Sequence, residues 1–324
     1  MDESHSDTIF TTTQQLVSLG NGVFAIPDGT TEIRISENIS PYSNVYRAII
    51  IPASVKKITG LSRVLQCTAY VVDENNINYT TIDGVIYTKG RKVLIAYPTG
   101  RLGNAKKNPN THVVPTYVQR IADEAFLGNR TLHSIELPHG LMQIGQRAFS
   151  ACIQLMYINL PKGLRSVGPY CFADSHRINR LHFSRDIAEL YTSNLSSGIT
   201  IEIDDELTNL TYDSIPGMVS IDTKNPLIDN PVFTIRPILL SHNNPVIQQL
   251  AARYNFPQVS RYHTDENDII WAGDSNDCNK VMICFPARWS SDRYQVRGHM
   301  RISELAFWST EVQYLWADWR GKDK

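Results

Sequence analysis

Three consecutive stretches decide the fold: VVPTYVQRIADEAFLGNRTLHS (113–134), IELPHGLMQIGQRAFSACIQLMY (135–157) and INLPKGLRSVGPYCFADSHRINR (158–180). Val114-Pro115, Leu137-Pro138 and Leu160-Pro161 recur at i, i+23 and i+46, as do Phe126, Phe149 and Phe172, and Ile121, Ile144 and Val167. Ala125, Ala148 and Cys171 fill the small slot before each Phe, and Leu132, Leu155 and Ile178 fill a late apolar slot. Ile135-Glu136-Leu137 and Ile158-Asn159-Leu160 alternate apolar and polar, the pattern of a short half-buried strand. Proline ends the ladder because it has no N–H to donate. The QRAF or PYCF stretch then predicts a turn and one helical or 3₁₀ turn that brings the chain back. A unit this short cannot bury its own apolar face, so the copies must stack as a solenoid.

Weaker copies extend the array in both directions. Ile51-Pro52 with Val55 and Ile58 repeats the Pro+3, Pro+6 pattern of Pro138, Leu141 and Ile144, and Pro27 with Thr30 and Ile33 does so more loosely. Beyond Phe183 the unit shortens, pairing Phe183 with Ile203, Ile187 with Leu207 and Leu190 with Leu210, each at i+20. The register loosens after Ile221. SHNNPVIQQLAARYNF then predicts one short helix, with Asn243 or Asn244 as cap, Pro245 at the first position, and Val246, Leu250 and Tyr254 on one face.

A larger module is duplicated. IDGVIYTKGRKVLIAYP (82–98) predicts a hairpin with strands Val85–Tyr87 and Val93–Tyr97. DIIWAGDSNDCNKVMICFP (268–286) has the same layout with a longer turn. RIADEAF (120–126) after the first hairpin is answered by RISELAF (301–307) after the second. The expected organisation is an N-terminal segment at 1–24, partly flexible; a solenoid at 25–262 carrying a hairpin module at 69–111; and a second hairpin module with the start of a second array at 263–324.

Repeats of the form LPxGLxxIGxxAFxxC, joined to a DGVIYTKG…LIAYP hairpin, resemble BspA-type leucine-rich repeat surface proteins. The resemblance runs from about Ala25 to Trp319 and is strongest over 69–183. It implies a β-rich leucine-rich-repeat solenoid, export or surface anchoring, no enzymatic activity, and adhesion to a protein or glycan partner on a host or neighbouring cell.

Composition narrows the field independently. The 324 residues carry 31 Lys+Arg against 32 Asp+Glu, a net charge of −1, without the positive excess of a nucleic-acid binder or a polybasic membrane protein. No uninterrupted apolar run is long enough to span a bilayer. The N-terminal MDESHSDTIF has no signal-peptide layout, so the expectation is either a cytoplasmic protein or a mature chain whose export signal was removed. An intracellular interaction scaffold is therefore the alternative to surface display. An enzyme using the linker 99–111 or the acidic stretch 263–277 is a less favoured third reading.

Sequence motifs for chemistry are missing: no GxSxG, HExxH, GxGxxG or GxxxxGK[ST] occurs. No cofactor or metal is expected. His133, His139, His176 and His182 read as solvated turn and strand-edge histidines, and the run Asp265, Glu266, Asp268, Asp274 and Asp277 as a hairpin turn without the Gly and Glu of a calcium loop. Cys152 and Cys171 read as core residues, and a bridge between Cys278 and Cys284 stays open.

Two contact surfaces are predicted. With Ile135, Leu137, Ile158, Leu160, Leu181 and Phe183 inward, the period of two turns Ser134, Glu136, Tyr157, Asn159, Arg180 and His182 outward as a polar strip. All five tryptophans (Trp271, Trp289, Trp308, Trp316 and Trp319) fall in the last sixth of the chain. Trp is enriched at interface hot spots, so Trp308 and Trp319 are candidate contacts and Trp316 a candidate end cap.

Overall fold

The computed structural model describes residues 8–11, 15–39, 46–106, 108–194, 198–211, 219–222, 232–235, 238–245, 248, 252–253, 258–267, 269–273, 281–284, 293–296, 301–302 and 314–317. The chain is a strand-rich leucine-rich-repeat solenoid that divides into two compact units. One holds residues 1–155 and 161–175, the other 156–160 and 176–324. Val246, Leu250, Tyr254, Asp268, Asp274, Asp277, Cys278, Trp289, Trp308 and Trp319 lie outside the described residues.

In the first unit each coil supplies one strand before its proline and another after it, to different sheets. Before the proline, Thr111–Val113 runs parallel to Ser134–Glu136, with His112 opposite Ile135 and Val113 opposite Glu136. After it, Arg120–Ile121, Gln143–Ile144 and Ser166–Val167 stack in parallel, with Ile121, Ile144 and Val167 in register. The same arrangement holds in the weaker copies, where Ile33 at Pro27+6 faces Ile58 at Pro52+6. The corner between the two strands is a repeated turn. The carbonyls of Pro115, Pro138 and Pro161 each accept from the N–H three residues on, at 3.0 Å, and those of Pro27 and Pro52 do so at 3.3 Å. Proline suits this corner because its fixed φ starts the turn and its missing N–H is not needed there.

The return differs from the helical or 3₁₀ turn that the sequence predicts. It is built from the two-residue strand and hydrogen-bonded turns, and the described 3₁₀ turns are Leu61–Arg63 and Thr192–Asn194. Its sharpness comes from left-handed residues repeated once per coil. Glu124, Arg147 and Tyr170 have φ of 58°, 52° and 56°, and Gly128, Ala151 and Asp174 have φ of 70°, 56° and 61°. Between these two kinks sit Phe126, Phe149 and Phe172, fully buried.

The hairpin module forms as expected. Val85–Thr88 pairs antiparallel with Val93–Ala96, whose Val93 and Leu94 face Arg120 and Ile121 in parallel. In the second unit Ile270–Ala272 pairs antiparallel with Val281–Cys284, whose Val281 and Met282 face Arg301 and Ile302. A further hairpin lies in the segment expected to be partly flexible: Val17–Gly20 pairs with Val23–Ala25 around Asn21-Gly22, both at positive φ. Ile9–Thr11 adds to the Glu32–Arg34 ladder.

The second unit is organised by a parallel sheet of Ile178–Phe183, Gly198–Ile203, Ile238–Leu240 and Gln258–Val259. Phe183 faces Ile203 and Leu190 faces Leu210, the i+20 pairing expected from sequence. Pro245, Gln248, Ala252 and Arg253 are helical. Asn244 starts this helix with its carbonyl, which accepts from Gln248 N at 3.1 Å, while its side chain donates to the carbonyls of Asp204 and Leu207.

Candidate functional site

On the strand Ile178–Phe183, Leu181 and Phe183 are buried while Arg180 and His182 are half-buried on the opposite face. This alternation is what a sheet with one packed face requires. The neighbouring strand places Thr200 opposite Arg180 and Glu202 opposite His182. The charged pairs nevertheless form two residues along the strand from that register, on the same face. Arg180 Nη2 binds Glu202 Oε2 at 2.6 Å, and His182 Nε2 meets Asp204 Oδ1 at 2.9 Å.

Other groups tie into the same surface. Tyr262 donates its hydroxyl to Glu202 Oε1 at 3.1 Å, and its ring lies parallel to that of His242, with centroids 4.3 Å apart. Arg185 N donates to Asp204 Oδ2, and Ser241 Oγ donates to Asp205 Oδ1, both at 2.9 Å. Partial burial works against ionisation of Asp204, but the His182 hydrogen bond and the Arg185 N–H outweigh it and hold the carboxyl below its usual range. Burial and the adjacent Glu202 charge push the Tyr262 phenol well up, so it stays a neutral donor. The result is a preorganised row of charge, amphoteric rings and hydroxyls.

The predicted strip is only partly of this kind. Tyr157 and Asn159, in the second unit, are half-buried, as is Glu136 in the first. Ser134 departs from the expectation: it is 8% exposed, and its hydroxyl is enclosed without a hydrogen-bond partner among the described residues. Its place opposite Thr111, itself buried, puts it in the packed layer at the start of the strand. Of the predicted residues the structure joins Arg180 and His182, and adds Glu202, Asp204, Tyr262 and His242. The i+20 spacing was the signal available for Glu202; nothing in the sequence pattern pointed to Tyr262 or His242.

Chemistry beyond contact is sparse. Burial pushes the Cys152 thiol up to about 12 and the Cys171 thiol higher still, which makes both poor nucleophiles. Cys284 is buried and its Sγ approaches Asn179 Oδ1 at 2.9 Å. Trp271 is 3% exposed, with its indole N–H on Asp265 Oδ2 at 2.8 Å. Among the described residues no group of three His, Cys, Asp or Glu side chains could hold a metal ion, and no helix is long and apolar enough to cross a membrane.

A repeated strand–proline–strand coil with a buried Phe column defines a leucine-rich-repeat protein. Residues 105–216 match the BspA type leucine-rich repeat region in six copies. Among solved structures the chain is similar to a leucine-rich repeat protein from Eubacterium ventriosum (22% identity, TM-score 0.47, covering 58% of this chain and 54% of that one). It is similar to the pneumococcal vaccine antigen PcpA (19%, 0.49, 73% and 67%). It also resembles a leucine-rich cell surface protein from Faecalibacterium prausnitzii (20%, 0.45, 64% and 60%). The chain thus spans little more than half the length of the first of these. No curated protein matches it.

Proposed function

We propose that the protein is a non-enzymatic, adhesin-like binding protein that presents its outward strand faces to a protein or glycan partner at the cell surface. The observation that carries this reading is the ordered row in which Arg180 and His182, on the parallel sheet of the second unit, engage Glu202 and Asp204, with Tyr262 of a neighbouring strand bound to Glu202. Such a row offers charge and ring contacts already fixed in place, so little side-chain entropy is lost on binding. Repeat proteins use extended strand faces in this way, and the BspA-type array is the family basis for surface display. Tyr157 and Asn159, in the same unit, belong to the proposed surface; Glu136, in the first unit, is a separate candidate contact, and Trp308 and Trp319 are a further, aromatic one.

The test is binding to a panel of immobilised extracellular-matrix proteins and glycans. Arg180→Ala combined with Tyr157→Ala should abolish any interaction the native chain shows while leaving its circular dichroism unchanged. Trp308→Ala with Trp319→Ala tests the second contact in the same panel. Unaltered binding by a folded Arg180/Tyr157 variant would assign contact to another surface.

A further inference from the structure

Residues 99–106 fold back along the open edge of the strand Thr111–Val113. Ala105 N donates to Thr111 O at 3.1 Å, and the Asn104 side-chain amide engages both backbone groups of Val113: Val113 N donates to Oδ1 at 2.7 Å and Nδ2 donates to the carbonyl at 3.1 Å. Asn104 therefore stands where the peptide of a further strand would pair. The rest of the linker is pinned by Tyr97 OH on Leu102 O at 2.8 Å, Thr131 Oγ1 on Arg101 O at 2.6 Å, and Gly103 N on Pro109 O at 2.6 Å. Leu102 itself is 53% exposed, so hydrogen bonds rather than burial of its side chain hold this part of the clip.

At the centre of the covered strand is His112, 2% exposed, with neither ring nitrogen hydrogen-bonded among the described residues. Its ring meets Tyr97 edge-on at 4.6 Å and Phe126 at 6.0 Å, and the residue opposite it is Ile135. The charged group in electrostatic reach is the guanidinium of Arg101, on the clip itself. An imidazolium formed here would have an apolar cage, no acceptor, and a like charge beside it.

We propose that residues 99–106 form an acid-labile clip: protonation of His112 expels the imidazole from its aromatic cage and releases the clip from the strand edge. The opened state exposes the Thr111 carbonyl and both backbone groups of Val113, an edge able to accept an extended segment. Burial, reinforced by the Arg101 charge, lowers the His112 pKa to about 3 in the closed state, whereas an exposed histidine titrates near 6.5. The closed form is therefore fully favoured above about pH 6.5 and is progressively lost as pH falls toward the closed-state pKa. Each pH unit below 6.5 shifts the closed–open balance by up to about tenfold. A local opening of modest free energy then becomes populated in mild acid, before the bulk of the fold is affected.

The test is amide hydrogen exchange of the full chain at pH 7.0, 5.5 and 4.5, corrected for intrinsic rates. Protection at Ala105 and Val113 should fall by up to about 100-fold between pH 6.5 and 4.5, while Phe149 stays protected and the change reverses on neutralisation. His112→Phe should hold protection constant across this range, and His112→Gln, which keeps a polar side chain without the titration, is the second variant. Asn104→Ala should raise the pH at which Ala105 loses protection. The proposal is overturned if native Ala105 keeps its protection at pH 4.5, if the loss persists in both His112 variants, or if Phe149 loses protection in parallel.

Discussion

The rings of Phe126 and Phe149 stack with centroids 5.0 Å apart at 26°, although they belong to successive coils of the chain. Phe172 continues the column at 5.9 Å and 6° from Phe149, and Tyr97 caps its other end at 4.8 Å from Phe126. Phe149 is thus packed on both faces, and truncating it leaves a cavity between two coils. Phe149→Ala should cost about 3–5 kcal/mol and lower the urea midpoint of the first unit as a whole, because each coil is stabilised by its neighbours. A shift smaller than about 1 kcal/mol would mean that the column relaxes around the gap.

The repeat glycines divide into those that admit a neighbouring coil and those that relieve backbone strain. A Cβ on Gly145 would stand 2.3 Å from Asp123 Oδ1 and 2.5 Å from Asp123 N. Gly145→Ala should therefore destabilise by about 1–3 kcal/mol through overpacking. Gly128 has open space around it but φ of 70°, so Gly128→Ala should cost about 1 kcal/mol through the left-handed backbone alone. Gly140, whose nearest neighbour would be Thr116 O at 3.9 Å, should tolerate Ala within about 0.5 kcal/mol. Denaturant titrations of the three variants give the order directly, and an equal cost at Gly140 and Gly145 would contradict the packing argument.

The Arg180–Glu202 pair is partly shielded, with side chains 24% and 15% exposed. A double-mutant cycle between Arg180→Ala and Glu202→Ala should give a coupling of about 1 kcal/mol. That coupling should weaken in high salt, since the pair is not sealed from solvent. A coupling insensitive to salt would point to packing of the Arg180 stem rather than charge.

Much of this architecture is legible because the proline, the Pro+6 aliphatic residue and the Phe each solve one steric problem per coil and so recur at fixed spacing. Ile33 facing Ile58, and Ile121 facing Ile144, follow from that. Strands such as Gln143–Ile144 span only two positions, too short to show a period of two, and the sequence there suggests a helical turn instead. The Val17–Gly20 hairpin carries a readable Asn-Gly turn signal, but the strand Val17–Gly20 is exposed throughout and lacks the inward-facing alternation that marks a half-buried strand. At the candidate site, period gives the face of Arg180 and His182 correctly, whereas the diagonal pairing with Glu202 and Asp204 depends on side-chain reach rather than on strand register. Ser134 escapes the pattern because period alone does not reveal that the end of a short strand turns into the packed layer.

The expected domain boundary at 262/263 falls beside a packed cluster. Leu240, fully buried, lies with Ile270, Ile283 and Cys284, and with the partly buried Val259, Tyr262 and Ala272. Ending the chain at residue 262 removes Ile270, Ile283 and Cys284 together, and leaves Leu240 facing water at a cost of about 25 cal/mol per Å² of apolar surface exposed. It also takes the Cys284 thiol from Asn179 Oδ1, a group on the strand that carries Arg180. The chain 1–262 should therefore lose amide protection at Leu239 and Leu240 and unfold at lower urea across the Ile178–Phe183 sheet. Its sedimentation should show self-association through the uncovered apolar surface. If instead Leu239 and Leu240 exchange as slowly as in the full chain and the truncated protein is monomeric, residues 263–324 are a separable module and the boundary read from the sequence is the physical one.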